Sequence, residues 1–423
     1  MIEPRTLKGF RDYLPEAMIP REALVETARR VFRSYGFLPI DTPALEYEEI
    51  LTGKGGAETD KQLYRFEDHG GRKVALRFDL TVPLARFVAQ HSNEVGLPFK
   101  RYHIASVWRG ENTQRGRYRE FMQCDFDTIG TESVVADVET ILVIHDLLRA
   151  IGIERFTIRI NDRKYLMSLL ESCGFSERPT DVLRVLDKRD KVGVEGVVGE
   201  LQQLGFDAAR VRDLILAMET GSLASPAKQR LLEIHASVLS AGVDAKRIQL
   251  DNSIARGLDY YTGVVFETRL DDLPGIGSVC SGGRYNDLAQ LYTKERLPGV
   301  GASLGLDRLL AAMEELGVLE RRGSTAPVFL PFFDAAHLAD YLRLAGRLRA
   351  AGIGVELYPE PKKLGAQLKY ADRRGFRVAL ILGDDEWKRA SATVKVLASG
   401  ETRSVALEDA AGALHPDLLA ALR

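Results

Sequence analysis

The densest set of residues able to do chemistry lies between Trp108 and Phe121, read as Trp-Arg-Gly-Glu-Asn-Thr-Gln-Arg-Gly-Arg-Tyr-Arg-Glu-Phe. Arg109, Arg115, Arg117 and Arg119 all fall within it. Guanidinium forks match phosphate oxygens and stack on purine rings, and the same charges would also suit a solvated turn. Just beyond, Gln123, Asp125 and Asp127 recur at every second position, so a strand sets all three on one face. Asp79 and Thr81, in Arg77-Phe78-Asp79-Leu80-Thr81, add further polar groups. Carboxylates on a sheet face need partners: a bound amino group is one, and ion pairs to nearby arginines are another.

Two further constellations stand out. In Arg256-Gly257-Leu258-Asp259-Tyr260-Tyr261-Thr262-Gly263 the glycines permit a bend and Arg256 can meet an anion. The two tyrosines offer flat, hydroxyl-tipped walls for a small polar ring, or simply one packed and one exposed strand position. In Ser281-Gly282-Gly283-Arg284-Tyr285-Asn286 the glycines let a ligand approach the backbone closely, and a plain turn is the competing account. Gly275-Ile276-Gly277 and Gly299-Val300-Gly301 lack the third glycine of a dinucleotide fingerprint, and Gly53-Lys54-Gly55 lacks the remainder of a P-loop. Cys124, Cys173 and Cys280 are odd in number and far apart, and the seven histidines form no ligand pair. Neither a disulfide framework nor a metal site has sequence support.

The elements that must carry these residues follow from periodicity. Apolar steps of three and four over Ala23, Leu24, Ala28, Val31 and Phe32 predict a helix that breaks at Tyr35-Gly36-Phe37. Phe37–Pro43 reads as an extended, proline-bearing edge segment. Val74–Phe78, Tyr102–Trp108 and Glu120–Ile129 predict strands of a mainly antiparallel sheet, with a helix near 82–91 and the cationic loop between the last two strands. A helix over 133–150 and a strand at Phe156–Ile160 follow. Residues 163–248 then hold a succession of amphipathic helices, read as an insertion. Strands return at Ile248–Leu250 and Val264–Thr268, with a helix from about 305. Beyond 324 a βαβαβ rhythm marks a separate α/β domain. On one of its helices Lys362, Lys363, Lys369, Arg373, Arg374 and Arg377 cluster around Tyr370, as a solvated face or a surface for RNA.

A chain of 423 residues exceeds one compact domain. Its 45% hydrophobic and 28% charged residues are those of a globular protein, and the formal net charge of −2 argues against non-specific coating of nucleic acid. No apolar run approaches a membrane span, and the N-terminus offers no apolar signal core. The expected compartment is the cytoplasm.

At these residues a resemblance becomes specific. Arg109–Phe121 resembles motif 2 of class II aminoacyl-tRNA synthetases, Gly299–Arg308 (GVGASLGLDR) resembles motif 3, and Phe37–Pro43 is similar to motif 1. Arg256–Gly263 and Ser281–Tyr285 resemble the two signature peptides of the histidyl members. The resemblance spans about residues 5–410. It implies an α+β fold: an antiparallel catalytic core over 1–162 and 249–322, a helical insertion over 163–248 and an anticodon-binding α/β domain over 325–423. It further implies ATP-dependent formation of histidyl-adenylate, transfer to the 3′ end of tRNA(His), Mg²⁺, and a homodimer.

Carried over residue by residue, Arg109 and Arg256 would stabilise the α-phosphate. Glu111, Arg117 and Arg308 would bind ATP, with Glu111 toward the adenine. Asp79, Thr81, Gln123 and Asp127 would receive the histidine ends, while Tyr260, Tyr261 and Tyr285 border its ring. Lys362, Lys363, Lys369, Arg373 and Arg374 would contact tRNA. The family has forms with Glu where this chain has Asp79, shorter by a methylene. A non-catalytic, histidine-sensing regulatory subunit on the same core normally lacks the anticodon domain and disrupts the second arginine; here Arg256 and the βαβαβ unit are both present. A generic RNA-gripping protein leaves the signatures outside the basic patches unexplained.

Overall fold

The computed structural model describes residues 1–52, 57–254, 260–319 and 323–422, with side chains at 57–59 and 190–191 excepted. Gly53–Gly55, Arg256–Asp259 and the Arg321-Arg322 junction lie outside the described residues. The chain divides into two compact units, Met1–Arg11 with Leu24–Leu319, and Asp12–Ala23 with Glu320–Arg423.

Helix α1 (Pro15–Ser34) begins in the second unit's Asp12–Ala23 segment, and from Leu24 onward it belongs to the first unit, where it leads to β1 (Leu38–Pro39). Strands β2 (Leu45–Tyr47), β3 (Arg65–Glu67) and β4 (Lys73–Leu76) make a small separate sheet in the order β2-β4-β3, with α2 (Glu48–Thr52) and α3 (Ala57–Gln62) between β2 and β3. The strand expected at Val74–Phe78 therefore belongs to this small sheet and not to the main one. Helix α4 (Thr81–Val95), β5 (Phe99–Trp108), β6 (Glu120–Ile129), α5 (Val134–Ile151) and β7 (Phe156–Asp162) follow. Five helices come next: α6 (Arg163–Ser172), α7 (Pro179–Leu186), α8 (Arg189–Gln203), α9 (Ala208–Thr220) and α10 (Pro226–Ser240). The unit closes with β8 (Ile248–Leu250), β9 (Val264–Leu270), β10 (Ser278–Tyr285), β11 (Gly299–Gly305) and α11 (Leu306–Glu315).

The main sheet runs β1-β5-β6-β11-β10-β9-β7-β8. Its interior pairings are antiparallel, as expected, while β1 lies parallel to β5 and β8 parallel to β7 at the two edges. Pro39 has no amide hydrogen to donate, which suits its place on an edge.

Period-two alternation divides the faces. Cys124 and Phe126 of β6, Val300, Ala302 and Leu304 of β11, and Phe266 of β9 are buried in one core with Phe32 of α1 and Ile141, Ile144 and Leu148 of α5. Helix α5 starts where Ser133 accepts the Val135 amide and stops at Gly152 in the left-handed region, and its buried apolar residues, among them Ala136, Val143 and Leu147, join this core. The alternate residues, Gln123, Asp125 and Asp127, consequently face away from that core. Helices α6–α9 enclose a second cluster around Leu169, Leu186, Leu201 and Leu214. Helix α10 instead adds Leu231, Ile234 and Val238 to the sheet's core.

In the second unit β12 (Val328–Leu330), α12 (Leu338–Ala350), β13 (Val355–Leu357), α13 (Leu364–Arg373) and β14 (Val378–Ile381) realise the βαβαβ rhythm with parallel strands. A hairpin, β15 (Ser391–Val396) with β16 (Thr402–Ala406), extends the sheet antiparallel, giving the order β13-β12-β14-β15-β16. Short helices α14 (Asp384–Lys388) and α15 (Pro416–Leu422) complete it.

Candidate active site

The polar face of the main sheet floors a cavity of about 330 Å³. Strand register makes the floor in rows. Asp125 lies opposite Ser303, Ser303 opposite Ser281, and Ser281 opposite Glu267, so one polar row crosses β6, β11, β10 and β9. The neighbouring row is Arg101, Asp127, Gly301, Gly283 and Val265. A Cβ on Gly301 would lie 2.2 Å from Asp127 Oδ1, so the absence of a side chain there opens the space above the carboxylate.

Guanidinium groups gather at one end. Arg109 lies 4.3 Å from the ring centre of Phe78 and 5.0 Å from that of Phe121, while its Nε donates to the Phe78 carbonyl at 3.1 Å. Burial lowers its pKa, opposed by the nearby carboxylates of Asp79 and Glu111. Arg308, at the start of α11, donates to the Ser278 carbonyl. Burial first, then Arg117, pull its pKa down to about 10, with Glu111 opposing and Arg109 adding to the fall. Arg117 itself pairs with Glu111 at 3.5 Å. Three like charges so arranged raise the electrostatic energy of the empty cavity, and a polyanion relieves it.

The loop bearing Arg117 is held from outside. The Arg119 amide donates to the Gly9 carbonyl at 2.9 Å, and Arg11 stacks 3.8 Å from the Tyr118 ring while pairing at 2.6 Å with buried Asp307 of α11. Asp307 also accepts the Met122 amide at 2.8 Å.

Carboxylates gather at the other end. Asp79 Oδ1 accepts the amides of Thr81 and Val82 at 3.0 and 2.9 Å, capping α4 as well as lining the cavity. Asp127 is held between Arg101, 2.7 Å away, and the Tyr285 hydroxyl. Burial raises the pKa of Asp79 and of Asp127, and that of Asp125 to about 7. Tyr260 packs edge-on against Tyr261 and Tyr285, with ring centres 5.0 and 5.9 Å apart. Burial raises the pKa of all three phenols, keeping them neutral hydroxyls at physiological pH.

The expected residues Asp79, Thr81, Arg109, Glu111, Arg117, Gln123, Asp127, Tyr260, Tyr261, Tyr285 and Arg308 all line this one cavity. Arg256 lies outside the described residues. The sequence gives no signal for Ser303 and Glu267, which the register of β9–β11 brings to the floor beside Ser281 of the glycine-rich constellation, nor for Arg101, which is fully buried beneath it. Arg284 of the Ser281–Asn286 segment turns away from the cavity. Its Nε donates to fully buried Asp137 at 2.9 Å and its Nη1 to the Thr131 carbonyl at 2.8 Å. Asp137 also receives Arg230 of α10.

In the second unit, Gln367 is fully buried and exchanges hydrogen bonds with the Phe332 backbone at 2.8 and 2.6 Å, fixing α13 to the chain beyond β12. That leaves Lys369 and Arg373 exposed, one helical turn apart. Lys362 and Lys363 are exposed just before the helix, Lys362 pairing with Glu360, and Arg374 lies 6.0 Å from the Tyr370 ring. The basic residues are thus spread along α13, Lys362 and Lys363 before its first turn, Lys369 within it, and Arg373 and Arg374 at its end.

An antiparallel sheet flooring a cavity with a guanidinium end and a carboxylate-tyrosine end, plus a separate α/β unit with a basic helix, is the layout of a class II aminoacyl-tRNA synthetase. Residues 9–309 match the family model described as histidyl-tRNA synthetase, and residues 327–415 match that of an anticodon binding domain. The chain belongs to the histidyl-tRNA synthetase family. It is 60% identical to the histidine--tRNA ligase of Rhodopirellula baltica, over 96% of each chain. It is 49% identical to that of Wolinella succinogenes, covering 97% of this chain and 98% of the relative. The crystal structure of histidyl-tRNA synthetase from Nostoc sp. PCC 7120 superposes with a TM-score of 0.86 at 34% identity, over 96% of this chain and 97% of that one.

Proposed function

We propose that this protein activates histidine with ATP and esterifies it to tRNA(His). The observation carrying this reading is the two-ended cavity: arginines suited to a polyphosphate at one end, and carboxylates with tyrosines suited to an ammonium and an imidazole at the other. A histidine carboxylate oxygen attacks the α-phosphorus, the bond to pyrophosphate breaks, and histidyl-adenylate forms. The terminal ribose hydroxyl of tRNA then attacks the activated carbonyl, and AMP leaves with the bonding electron pair. Both nucleophiles and both leaving groups belong to substrates, so the protein's part is positioning and charge neutralisation.

Arg109 neutralises the α-phosphate, with Arg256 assigned opposite it on the strength of the signature peptide. Arg117 and Arg308 restrain the remaining phosphates, and Glu111 meets the adenine side. Asp79, Thr81, Gln123 and Asp127 receive the amino and carboxylate ends of histidine, and Tyr260, Tyr261 and Tyr285 border the ring. Buried groups built to pair with an imidazole stay unpaired against a substitute without those nitrogens, which rejects it more strongly than size alone. Glu111 and Glu267 line the cavity close enough to Arg308 to oppose the fall in its pKa, and two carboxylates beside a polyphosphate would be the hard oxygen donors that Mg²⁺ takes. When bound, that ion adds positive charge against the phosphates.

Residues 1–162 with 249–322 act as the catalytic core, 163–248 as an insertion, and 325–423 as the anticodon-binding domain, with Lys362, Lys363, Lys369, Arg373 and Arg374 facing RNA. The match over 327–415 favours the enzyme over a histidine-sensing subunit. Leu38 on the edge strand, with Tyr47 and Phe66 on the small sheet, are half or more exposed, which supports a homodimer through this region. No helix among the described residues is long and apolar enough to cross a membrane, which is compatible with action in the cytoplasm.

Pyrophosphate exchange tests the reading. Labelled pyrophosphate enters ATP when histidine is added, without tRNA, and Arg256→Ala abolishes this while histidine still binds. Folded wild-type protein that fails to exchange with histidine, or exchanges equally with other amino acids, contradicts it.

A further inference from the structure

Away from the cavity, the second unit sets one imidazole between two carboxylates. His337 ends a short turn, Ala335–His337, just before α12, and Asp334 precedes that turn. Asp384 opens α14, on the far side of β14 in the chain. One ligand atom from each of Asp334, His337 and Asp384 lies within 4.8 Å of the other two.

Asp340 settles which imidazole nitrogen is available. Its Oδ1 takes the Arg343 guanidinium at 2.8 Å, which keeps the carboxylate ionised and an acceptor only, and its Oδ2 lies 3.1 Å from His337 Nδ1. In the neutral ring Nδ1 therefore carries the hydrogen and donates it to Asp340, leaving the lone pair on Nε2. Nε2 stands 3.5 Å from Asp384 Oδ1 and 4.0 Å from Asp334 Oδ2, beyond the roughly 2.7–3.2 Å of an N–H···O hydrogen bond. Trp387 of α14 holds the ring in that orientation, stacked on it at 5.5 Å and 23° and itself packed edge-on against buried Tyr341 of α12.

The charges around that lone pair do not balance. Asp334 Oδ1 accepts the Ala336 amide at 2.8 Å, and neither Asp334 nor Asp384 pairs with a lysine or arginine among the described residues. Two carboxylates converging on a nitrogen lone pair repel it and each other, and a cation bound by all three reverses the sign of that energy. One imidazole nitrogen with two carboxylate oxygens is a donor set for a first-row divalent ion, zinc above all, and a carboxylate behind the other ring nitrogen is the usual support of such a histidine. Donors about 2.0–2.2 Å from one tetrahedral zinc stand roughly 3.3–3.6 Å apart, so small carboxylate rotations suffice here.

We propose that Asp334, His337 and Asp384 form a divalent-cation site of the zinc class, with Asp340 orienting the imidazole. The ion ties the turn before α12 to α14, and water takes its fourth position. All four residues lie in the second unit, so the proposal is independent of the chemistry assigned to the cavity.

The test frees the full-length protein of metal with a chelator and titrates it with Zn²⁺ by calorimetry. The wild type takes up one ion per chain at this site. Asp384→Asn, at a side chain 64% exposed where the fold tolerates the change, weakens uptake by about tenfold or more. His337→Gln does the same, and Asp340→Asn, which removes only the support behind the ring, costs about tenfold to a hundredfold. Asp385→Asn, an exposed neighbour outside the cluster, leaves uptake within about twofold. Wild-type protein that binds no Zn²⁺ overturns the proposal and marks His337 as an imidazolium paired with its carboxylates. Affinity unchanged in Asp384→Asn and His337→Gln, or weakened as much by Asp385→Asn, overturns it as well, the latter by showing a diffuse acidic face.

Discussion

Asp125 shows what a buried carboxylate on the cavity floor costs at a single residue. Burial raises its pKa from 3.8 to about 7; Arg101 and Ser303 oppose the rise, and Asp127 and Asp79 add to it. Because the folded-state pKa lies above the unfolded one, the folded protein holds this proton more tightly. Its stabilising effect is complete below pH 4 and is lost as the pH climbs through 7, where the buried charge costs on the order of a few kcal/mol. Asp125→Asn is therefore expected to raise the melting temperature at pH 8 by a few degrees and to raise it less at pH 5, as scanning calorimetry at both values would record. A lower melting temperature at pH 8 would mark Asp125 as a structural residue instead. The polar identity of this position is legible from the period-two spacing of Gln123, Asp125 and Asp127. Its pairing with Ser303 is not, because register between β6 and β11 joins segments 180 residues apart in the chain. Arg101 was hidden for a related reason: a lone arginine in a strand reads as exposed until its cross-strand partner, Asp127, is known.

Between elements, buried charge acts as a tie. Asp137 of α5, Arg284 of β10 and Arg230 of α10 join one helix on the sheet, one sheet strand and the helix that precedes β8. Asp137 and Arg284 are almost wholly enclosed, so removing the carboxylate leaves an uncompensated guanidinium inside the protein. Asp137→Ala is expected to cost about 3–5 kcal/mol in a denaturant titration, the range for breaking one partner of a buried pair. A loss below 1 kcal/mol would mean that water reaches Arg284. Elements with strong helical periodicity, α5 through α10, were readable from apolar spacing, as were the strands β5 and β6 flanking the cationic loop. The β4 segment was readable as a strand but not as a member of the small sheet, since three- and four-residue strands carry no signal of which edge they pair with. The segment Ser281–Asn286, for which a plain turn is the competing account, lies mostly in β10. There, glycines serve close packing: a Cβ at Gly283 would meet the Tyr261 ring at 2.9 Å. In the β15–β16 hairpin, Ser391–Val396 alternates polar and apolar residues with Ala392 and Val394 buried, a strand signal absent from the reading above, while β16 is exposed except at Val405 and carries little of it.

At the scale of the whole molecule the chemistry and the RNA recognition fall on separate compact units, each with its own core. Charge reversal at Lys369 and Arg373 together should therefore lower the rate of tRNA charging at least tenfold while leaving histidine-dependent pyrophosphate exchange within about twofold. Equal loss of both activities would remove α13 from the RNA surface. The βαβαβ rhythm read beyond 324 lies in the unit whose main segment starts at Glu320, while Asp12–Ala23, which no periodicity set apart from the residues after it, groups with that unit as well. The two-ended charge of the cavity was legible only in part: the arginines and carboxylates could be named, while their segregation to opposite ends depends on the fold of Phe99–Arg308. That segregation is the central claim, and a crystal structure with histidine and a non-hydrolysable ATP analogue tests it most directly. The account predicts the phosphates against Arg109, Arg117 and Arg308, and the histidine ammonium at the carboxylate end, among Asp79, Thr81, Gln123 and Asp127. Phosphates found elsewhere, or an imidazole lying among the arginines, would contradict it.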